Sequence, residues 1–343
     1  MMDEKGCILV TGGLGYIGSH TVVALQQQGY EVVVVDNLSN SRPEVLRLIK
    51  RISGVEPQFF QADCANREEL GRVFDEVFTI DGIIHFAAHK AVGESVRQPL
   101  KYYRNNLDGL LTVLEMAQTF GIANFVFSSS ATVYGEPTQL PVTEATPRAV
   151  PTSPYGATKI MAEEILQSVA TAYKEFRCLA LRYFNPIGAH PSGFLGEFPQ
   201  GVPNNLLPYI TQTACGVLPE LTIFGSDYPT PDGTPLRDYF HVCDLARAHV
   251  LALEFLERTQ REENMDFVNI GAGRGVSVLE IVDTFERVTG RHVQYRLGAR
   301  RPGDVAEVWA DTSKAWRLLG WRPEFSLEDA LRDAWRWEER LRG

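Results

Sequence analysis

The sequence predicts a doubly wound α/β fold: a parallel sheet flanked by helices, joined to a second, smaller α/β domain. Three observations predict it. An apolar strand at 7–10 runs into a glycine-rich turn and a helix, and a second strand closes on an acid. The same alternation of strands and helices continues through the first half of the chain. After Tyr183 the composition changes, with Gly, Pro and Asn dominating residues 185–208. Strands joined by helical crossovers imply a parallel sheet whose ligands collect at its carboxyl edge.

Residues 7–10, Cys-Ile-Leu-Val, read as a buried strand, and the turn that follows carries Gly12, Gly15 and Gly18. Gly12 permits the tight turn, Gly15 lets a pyrophosphate approach the backbone, and Gly18 lets helix and strand pack closely. The helix N-terminus offers free N–H groups and a partial positive charge to phosphates. That helix runs to about Gln28, where Gly29 ends it. The β-branched strand 31–35 closes on Asp36, near the spacing of ~20 residues expected after the last glycine. A carboxylate there accepts the ribose hydroxyls and repels a 2′-phosphate, so residues 1–185 read as a Rossmann-type domain for NAD rather than NADP.

A third strand at 57–62 ends at Asp63, placed to meet an adenine amino group, and a helix is expected over 66–78. The fourth strand, 82–86, is followed by Ala87 and Ala88, which leave room for a cofactor. A long amphipathic helix over 102–120 carries Asn105 and Asn106. The fifth strand, 124–127, feeds Ser128-Ser129-Ser130, and the sixth spans 178–183. Ser130 therefore lies on the carboxyl edge. Prolines 137, 141, 147, 151 and 154 restrict the next connection to turns and extended pieces. Residues 186–343 form mainly the second domain, with a strand near 266–270 expected to rejoin the first sheet. The helix 327–342, with Trp335 and Trp337, reads as packing.

Pro154 can start a helix at little cost, which sets Tyr155 and Lys159 at i and i+4 on one face. An ammonium beside a phenol favours phenolate and lowers the tyrosine pKa from about 10. Reaching neutrality requires a shift of about 3 units, so a second positive charge is needed. The spacing alone is equally met by a surface tyrosine and a solvated lysine.

Of the 343 residues, 44% are hydrophobic and 22% charged, ordinary for a globular protein with a normal core. The net charge of −10 argues against nucleic acid or an anionic membrane as partner. Five unpaired, scattered cysteines and an N-terminus that enters a strand point to a cytoplasmic protein without a signal peptide. No apolar run approaches the ~20 residues of a membrane helix. His85 and His89 flank a strand end, so no metal site is expected.

Taken together, the glycine turn, Tyr155-x-x-x-Lys159 and Ser130 resemble the extended short-chain dehydrogenase/reductases. Five stretches narrow this: VTGGLGYIGSH at 10–20, KAVGESV at 90–96, FSSSATVYG at 127–135, RYFNPIGAHPSG at 182–193, and RDYFHVCD at 237–244. They resemble the UDP-glucose 4-epimerase family over essentially the whole chain. The resemblance implies that Tyr16, Ile17, Asp36, Asn37, Asn40, Ser41, Asp63, Cys64, Phe86, Ala87, Lys90, Asn105, Ser130, Tyr155, Lys159 and Phe184 contact NAD. It implies that Ser130 and Tyr155 meet the sugar 4-hydroxyl, and that Asn185, Asn205, Leu206, Ile223 and Phe224 line the nucleotide site. Arg237 and Arg301 would face the diphosphate, where a planar guanidinium fork suits phosphate oxygens, and Asp304 the uridine ribose. A homodimer is implied, with the helix 102–120 as a candidate interface.

The implied chemistry is reversible epimerisation of UDP-glucose and UDP-galactose at C4 through a 4-keto sugar. Tyr155 is the base, Ser130 the relay, and Lys159 lowers the tyrosine pKa. Two positions depart from the family pattern. Ala88-His89 stands where Gly-Leu is common, and Val308 where a tyrosine often walls the sugar pocket. The family associates a small residue at the latter with N-acetylated UDP-sugars. The nearest rival is a sugar-nucleotide dehydratase or decarboxylase. Dehydratases carry Asp-Glu in the segment that here reads Ala131-Thr132, and those two residues cannot protonate a leaving hydroxyl as carboxylic acids do. A non-catalytic NAD-binding protein is the other alternative; it could have lost the tyrosine, lysine or serine, all of which are present.

Overall fold

The computed structural model describes residues 5–259, 263–301 and 304–343. In the first part of the chain, β1 (Cys7–Thr11), α1 (Tyr16–Gln27), β2 (Glu31–Asp36), α2 (Val45–Ser53), β3 (Gln58–Gln61), α3 (Arg67–Glu76) and β4 (Gly82–His85) alternate. Two short helices, α4 (Val92–Arg97) and α5 (Pro99–Tyr103), precede α6 (Gly109–Thr119), β5 (Asn124–Ser130), α7 (Pro154–Ala172) and β6 (Arg177–Tyr183). The second part contains β7 (Asn185–Ile187), α8 (Leu206–Ala214), β8 (Leu221–Phe224), β9 (Leu236–Arg237), β10 (Tyr239–His241) and α9 (Val242–Arg258). It continues through β11 (Met265–Ile270), β12 (Val276–Ser277), α10 (Val278–Thr289), β13 (Tyr295–Gly298), β14 (Glu307–Val308), α11 (Ser313–Leu319) and α12 (Leu327–Arg342).

Seven strands form one parallel sheet in the order β11-β6-β5-β4-β1-β2-β3. Its central strands are apolar runs buried on both faces, as a sheet covered by helices on each side requires. Val22, Leu25, Ile49, Leu245, Leu253 and Leu319 bring α1, α2, α9 and α11 onto one face. Leu70, Phe74, Leu110, Val113, Ala162 and Leu166 bring α3, α6 and α7 onto the other. A third cluster joins α8, α10 and α12 through Ile210, Phe285 and Leu331.

Several boundaries differ from the sequence reading, each for a tertiary reason. The helix expected over 102–120 is broken into α5 and α6 by a π-helical turn, Arg104–Asp108. Asn106 occupies that turn, accepting from His89 N at 2.8 Å and donating to His89 O and Thr158 Oγ1, both at 3.1 Å. The fifth strand runs on to Ser130 because Ser129 and Ser130 pair with Arg182 and Tyr183. The helix expected to 78 stops at Glu76, capped at its start by Asn66. Beyond residue 186, α9 and α11 join β11 on the first sheet, so more than a returning strand crosses back.

Candidate active site

A cleft opens at the carboxyl edge, at the N-terminus of α1. Gly15 caps that helix without a side-chain hydrogen bond, and Gly15, Tyr16, Ile17 and Gly18 line the cleft where the uncapped first turn begins. Gly12 has φ +68°, and a Cβ there would stand 2.9 Å from Ala87 N. A Cβ on Gly18 would stand 2.3 Å from Gly12 O, so only glycine lets α1 pack against the turn. Asp36, at the end of β2, accepts from Leu14 N at 3.1 Å, Leu38 N at 2.9 Å and Ser41 Oγ at 2.6 Å. A carboxylate has about four lone-pair positions, so roughly one is left for a ligand hydroxyl.

α7 starts where the sequence placed it: Ser153 Oγ accepts from Gly156 N at 3.2 Å and Pro154 occupies the first turn. Tyr155 and Lys159 reach the same cleft. Lys159 Nζ donates to Ser128 O at 2.6 Å and lies 4.8 Å from the Phe127 ring centre and 6.0 Å from that of Tyr155. Burial pushes the Lys159 ammonium down to about 8 while the Glu163 carboxylate pulls it back up. The tyrosine departs from the sequence reading: burial raises the Tyr155 pKa, and the Ser130 hydroxyl beside it works in the opposite direction. Burial outweighs that hydrogen bond. Beside them, His85 is pushed down to about 3 by burial and the Lys159 charge, and its Nδ1 lies 2.8 Å from Thr11 Oγ1.

The cleft is lined by all the residues assigned from sequence to the cofactor except Ser130 and Phe184. Ser130 lies beside Tyr155, its Oγ accepting from Thr132 N at 3.2 Å; Phe184 is buried in the core. Val35, Ser39, Ala62, Ala88, His89, Ser128 and Tyr183 also line the cleft. Ser128 and Tyr183 hydrogen-bond each other across β5 and β6. Their places at two strand ends were the only available signal.

A second group gathers beyond β9. Arg301 Nε donates to Asp304 Oδ2 at 2.9 Å, Arg237 Nη2 stands 3.8 Å from Asp304 Oδ1, and Arg301 lies over the Phe224 ring at 5.0 Å. Val308 pairs in register with Arg237, and Asn185 with Tyr239. Asn205 precedes α8, where Leu206 begins, and donates to Glu197 Oε1 at 2.5 Å. Ile223 turns into the third core cluster, so β8 offers Phe224 outward instead.

The chain matches the family model described as GDP-mannose 4,6 dehydratase over residues 9–334. It is 53% identical over 331 residues to the UDP-glucose 4-epimerase of Bacillus subtilis (strain 168), a match covering 96% of each chain. The UDP-glucose-4-epimerase of Stenotrophomonas maltophila, solved with bound NAD and formylated UDP-arabinopyranose, is 47% identical with a TM-score of 0.93 over 98% of each chain. The Bifidobacterium longum UDP-glucose 4-epimerase, solved with NAD+ and UDP, is 44% identical with a TM-score of 0.93, covering 97% of this chain and 98% of that one.

Proposed function

The chain belongs to the UDP-glucose 4-epimerase family, and from that premise we propose how its own residues interconvert UDP-glucose and UDP-galactose. It is an NAD-dependent isomerase. The residues present fit the cofactor. A Cβ at Gly12 or Gly18 would fill the turn, the α1 N–H groups are free for a pyrophosphate, and Asp36 retains an acceptor position for a ribose hydroxyl. Bound NAD supplies an acceptor for the hydrogen of sugar C4 and returns it, so the reaction passes through a 4-keto sugar without net oxidation.

Every other part falls to the chain. Tyr155 Oη takes the proton of the sugar 4-hydroxyl, and Ser130 Oγ relays it. Burial holds the phenol above its usual range, so the base becomes competent only where positive charge accumulates beside it. Lys159, held by the Ser128 carbonyl, supplies one such charge. Arg237 and Arg301 grip the diphosphate and Asp304 the uridine ribose. That leaves the sugar itself free to turn over between the two hydride transfers.

The observation that carries this reading is the meeting of Tyr155, Lys159 and Ser130 at one carboxyl edge, with Ala131 and Thr132 following. The family model's dehydratase name raises elimination as a rival, but no carboxylic acid stands at 131 or 132 to protonate a leaving hydroxyl. Incubation of the purified protein with UDP-galactose, without added NAD, tests it. UDP-glucose is the expected product; a 4-keto-6-deoxy sugar nucleotide, or no turnover, would contradict it.

Finer features belong to the same proposal. Val308 in place of a tyrosine favours acceptance of N-acetylated UDP-sugars. The chain acts as a homodimer through the outer faces of α6 and α7, where Leu111 and Met161 are 44% and 41% exposed; sedimentation at micromolar concentration checks this. Five free cysteines suit a cytoplasmic setting.

A further inference from the structure

Tyr155, Lys159 and Glu163 follow one another at four-residue steps along one face of α7, and Lys159 and Glu163 are both buried. The lysine thus stands between a phenol one turn before it and a carboxylate one turn after it. At that spacing a lysine and a glutamate ordinarily pair with each other. Here each has another partner. Lys159 Nζ donates to Ser128 O at 2.6 Å. Both Glu163 oxygens are gripped by Arg182, Nε to Oε1 at 2.8 Å and Nη2 to Oε2 at 2.7 Å, and Ser129 Oγ adds a bond to Oε1 at 2.6 Å.

Arg182 is well anchored for this. It projects from β6 beside Ser129 in the parallel register, donates from Nη1 to Tyr134 Oη at 3.1 Å, and lies over the Phe267 ring at 4.3 Å. Tyr134 passes the contact on to Asn269 Oδ1 at 2.6 Å. A bidentate guanidinium–carboxylate pair is stronger and more directional than an ammonium contact. The other groups facing Lys159 are neutral or aromatic: His85 on β4, pushed low by burial, Phe127 on β5, and Tyr183 on β6.

We propose that Arg182 is a positioning residue that occupies Glu163 and so leaves the Lys159 ammonium free to serve Tyr155. Arg148 Nη1 also stands 3.7 Å from Glu163 Oε2, but it is partly exposed and shared with Glu164; without the Arg182 guanidinium that longer contact does not satisfy both oxygens, and the buried carboxylate takes Lys159 as its partner. The lysine is then drawn away from the phenol and its charge is held to higher pH. The inference rests on the proton-transfer role of Tyr155 and Lys159 proposed above.

The test compares holoenzymes carrying Arg182→Met and the double change Arg182→Met/Glu163→Met, by kcat and KM for UDP-galactose across pH. Arg182→Met is expected to lose about 100-fold in kcat, the scale of a general-base contribution, with KM within about threefold. The alkaline limb of its kcat profile moves up by about one unit. The double variant removes the competitor with the clamp and recovers kcat to within about tenfold, with the limb restored. Such apolar replacement of a buried pair is often tolerated. A folded Arg182→Met enzyme with wild-type kcat and limb, or a double variant as slow as the single, overturns the proposal. Should neither variant fold, the wild-type profile decides: a limb near 8 supports a lysine without a carboxylate partner, and one above about 10 contradicts it. Tyr155→Phe is run alongside. If it keeps full activity the underlying reading fails; if it is inactive while Arg182→Met behaves as wild type, only this inference fails.

Discussion

Lys90 Nζ lies 3.4 Å from Glu197 Oε1, the same oxygen that accepts from Asn205 Nδ2 at 2.5 Å. One carboxylate therefore ties the cleft to the start of α8. Glu197→Ala should release both partners. The contact is partly exposed, and such pairs are worth about 1 kcal/mol or less, so KM for UDP-galactose should rise by roughly fivefold. Bound NAD should also leak on prolonged dialysis while kcat stays close to wild type. Unchanged KM and full NAD retention would mean that the link carries nothing.

Gly18→Ala places a Cβ 2.3 Å from Gly12 O and 2.9 Å from Gly13 Cα, both backbone atoms that cannot step aside. α1 must then move off the turn. The expected result is a stability loss of about 1–3 kcal/mol by urea titration and a purified protein depleted of NAD. Gly15→Ala, whose Cβ would meet only Gly12 O at 3.2 Å, should lose clearly less stability than Gly18→Ala.

The fold's acid sensitivity has a definite sign. Burial pushes His20 and His85 down to about 3 and His249 to about 4, against about 6.5 in the unfolded chain. Between those values the unfolded chain binds protons that the folded one refuses. Stability is therefore present above about 6.5 and drains as pH falls, by up to about 1.4 kcal/mol per histidine per pH unit. Asp238, pushed up to about 6 by burial, opposes this over part of the window, as do Asp244 and Glu257, which burial also raises; His89 and His190, which burial lowers, add to it. The urea midpoint should be lower at pH 5.5 than at pH 7.5; an equal or higher midpoint would show that these histidines titrate normally.

These cases divide what the sequence shows from what it hides. Gly12, Gly15, Gly18 and Asp36 were legible because each answers a local demand: a turn, a close approach, an acid at a strand end. The shared face of Tyr155 and Lys159 was legible from a helix start that Pro154 announces. Ser128 and Tyr183 were not, because their meeting depends on the register between β5 and β6. The π turn at Arg104–Asp108 was hidden as well, since the apolar period runs through it and its cause is Asn106 reaching His89 and Thr158. The direction of the Tyr155 shift was misread because spacing reveals a neighbouring charge and says nothing of desolvation.

Val308 pairs in register with Arg237, and its small side chain is what the proposed function makes the determinant of sugar size. Val308→Tyr should lower kcat/KM for UDP-N-acetylgalactosamine at least about tenfold, the scale of one misfitted group in a pocket, while leaving UDP-galactose within about threefold. Equal losses on both sugars would show that position 308 does not read the 2-substituent.

In the proposed reaction Tyr155 moves a proton while the C4 hydrogen leaves and returns as hydride within one site. UDP-galactose deuterated at C4, converted by the purified protein in ordinary water without added NAD, tests it most directly. The expected product is UDP-glucose that keeps its deuterium at C4. Product carrying protium there would show exchange with solvent and contradict it.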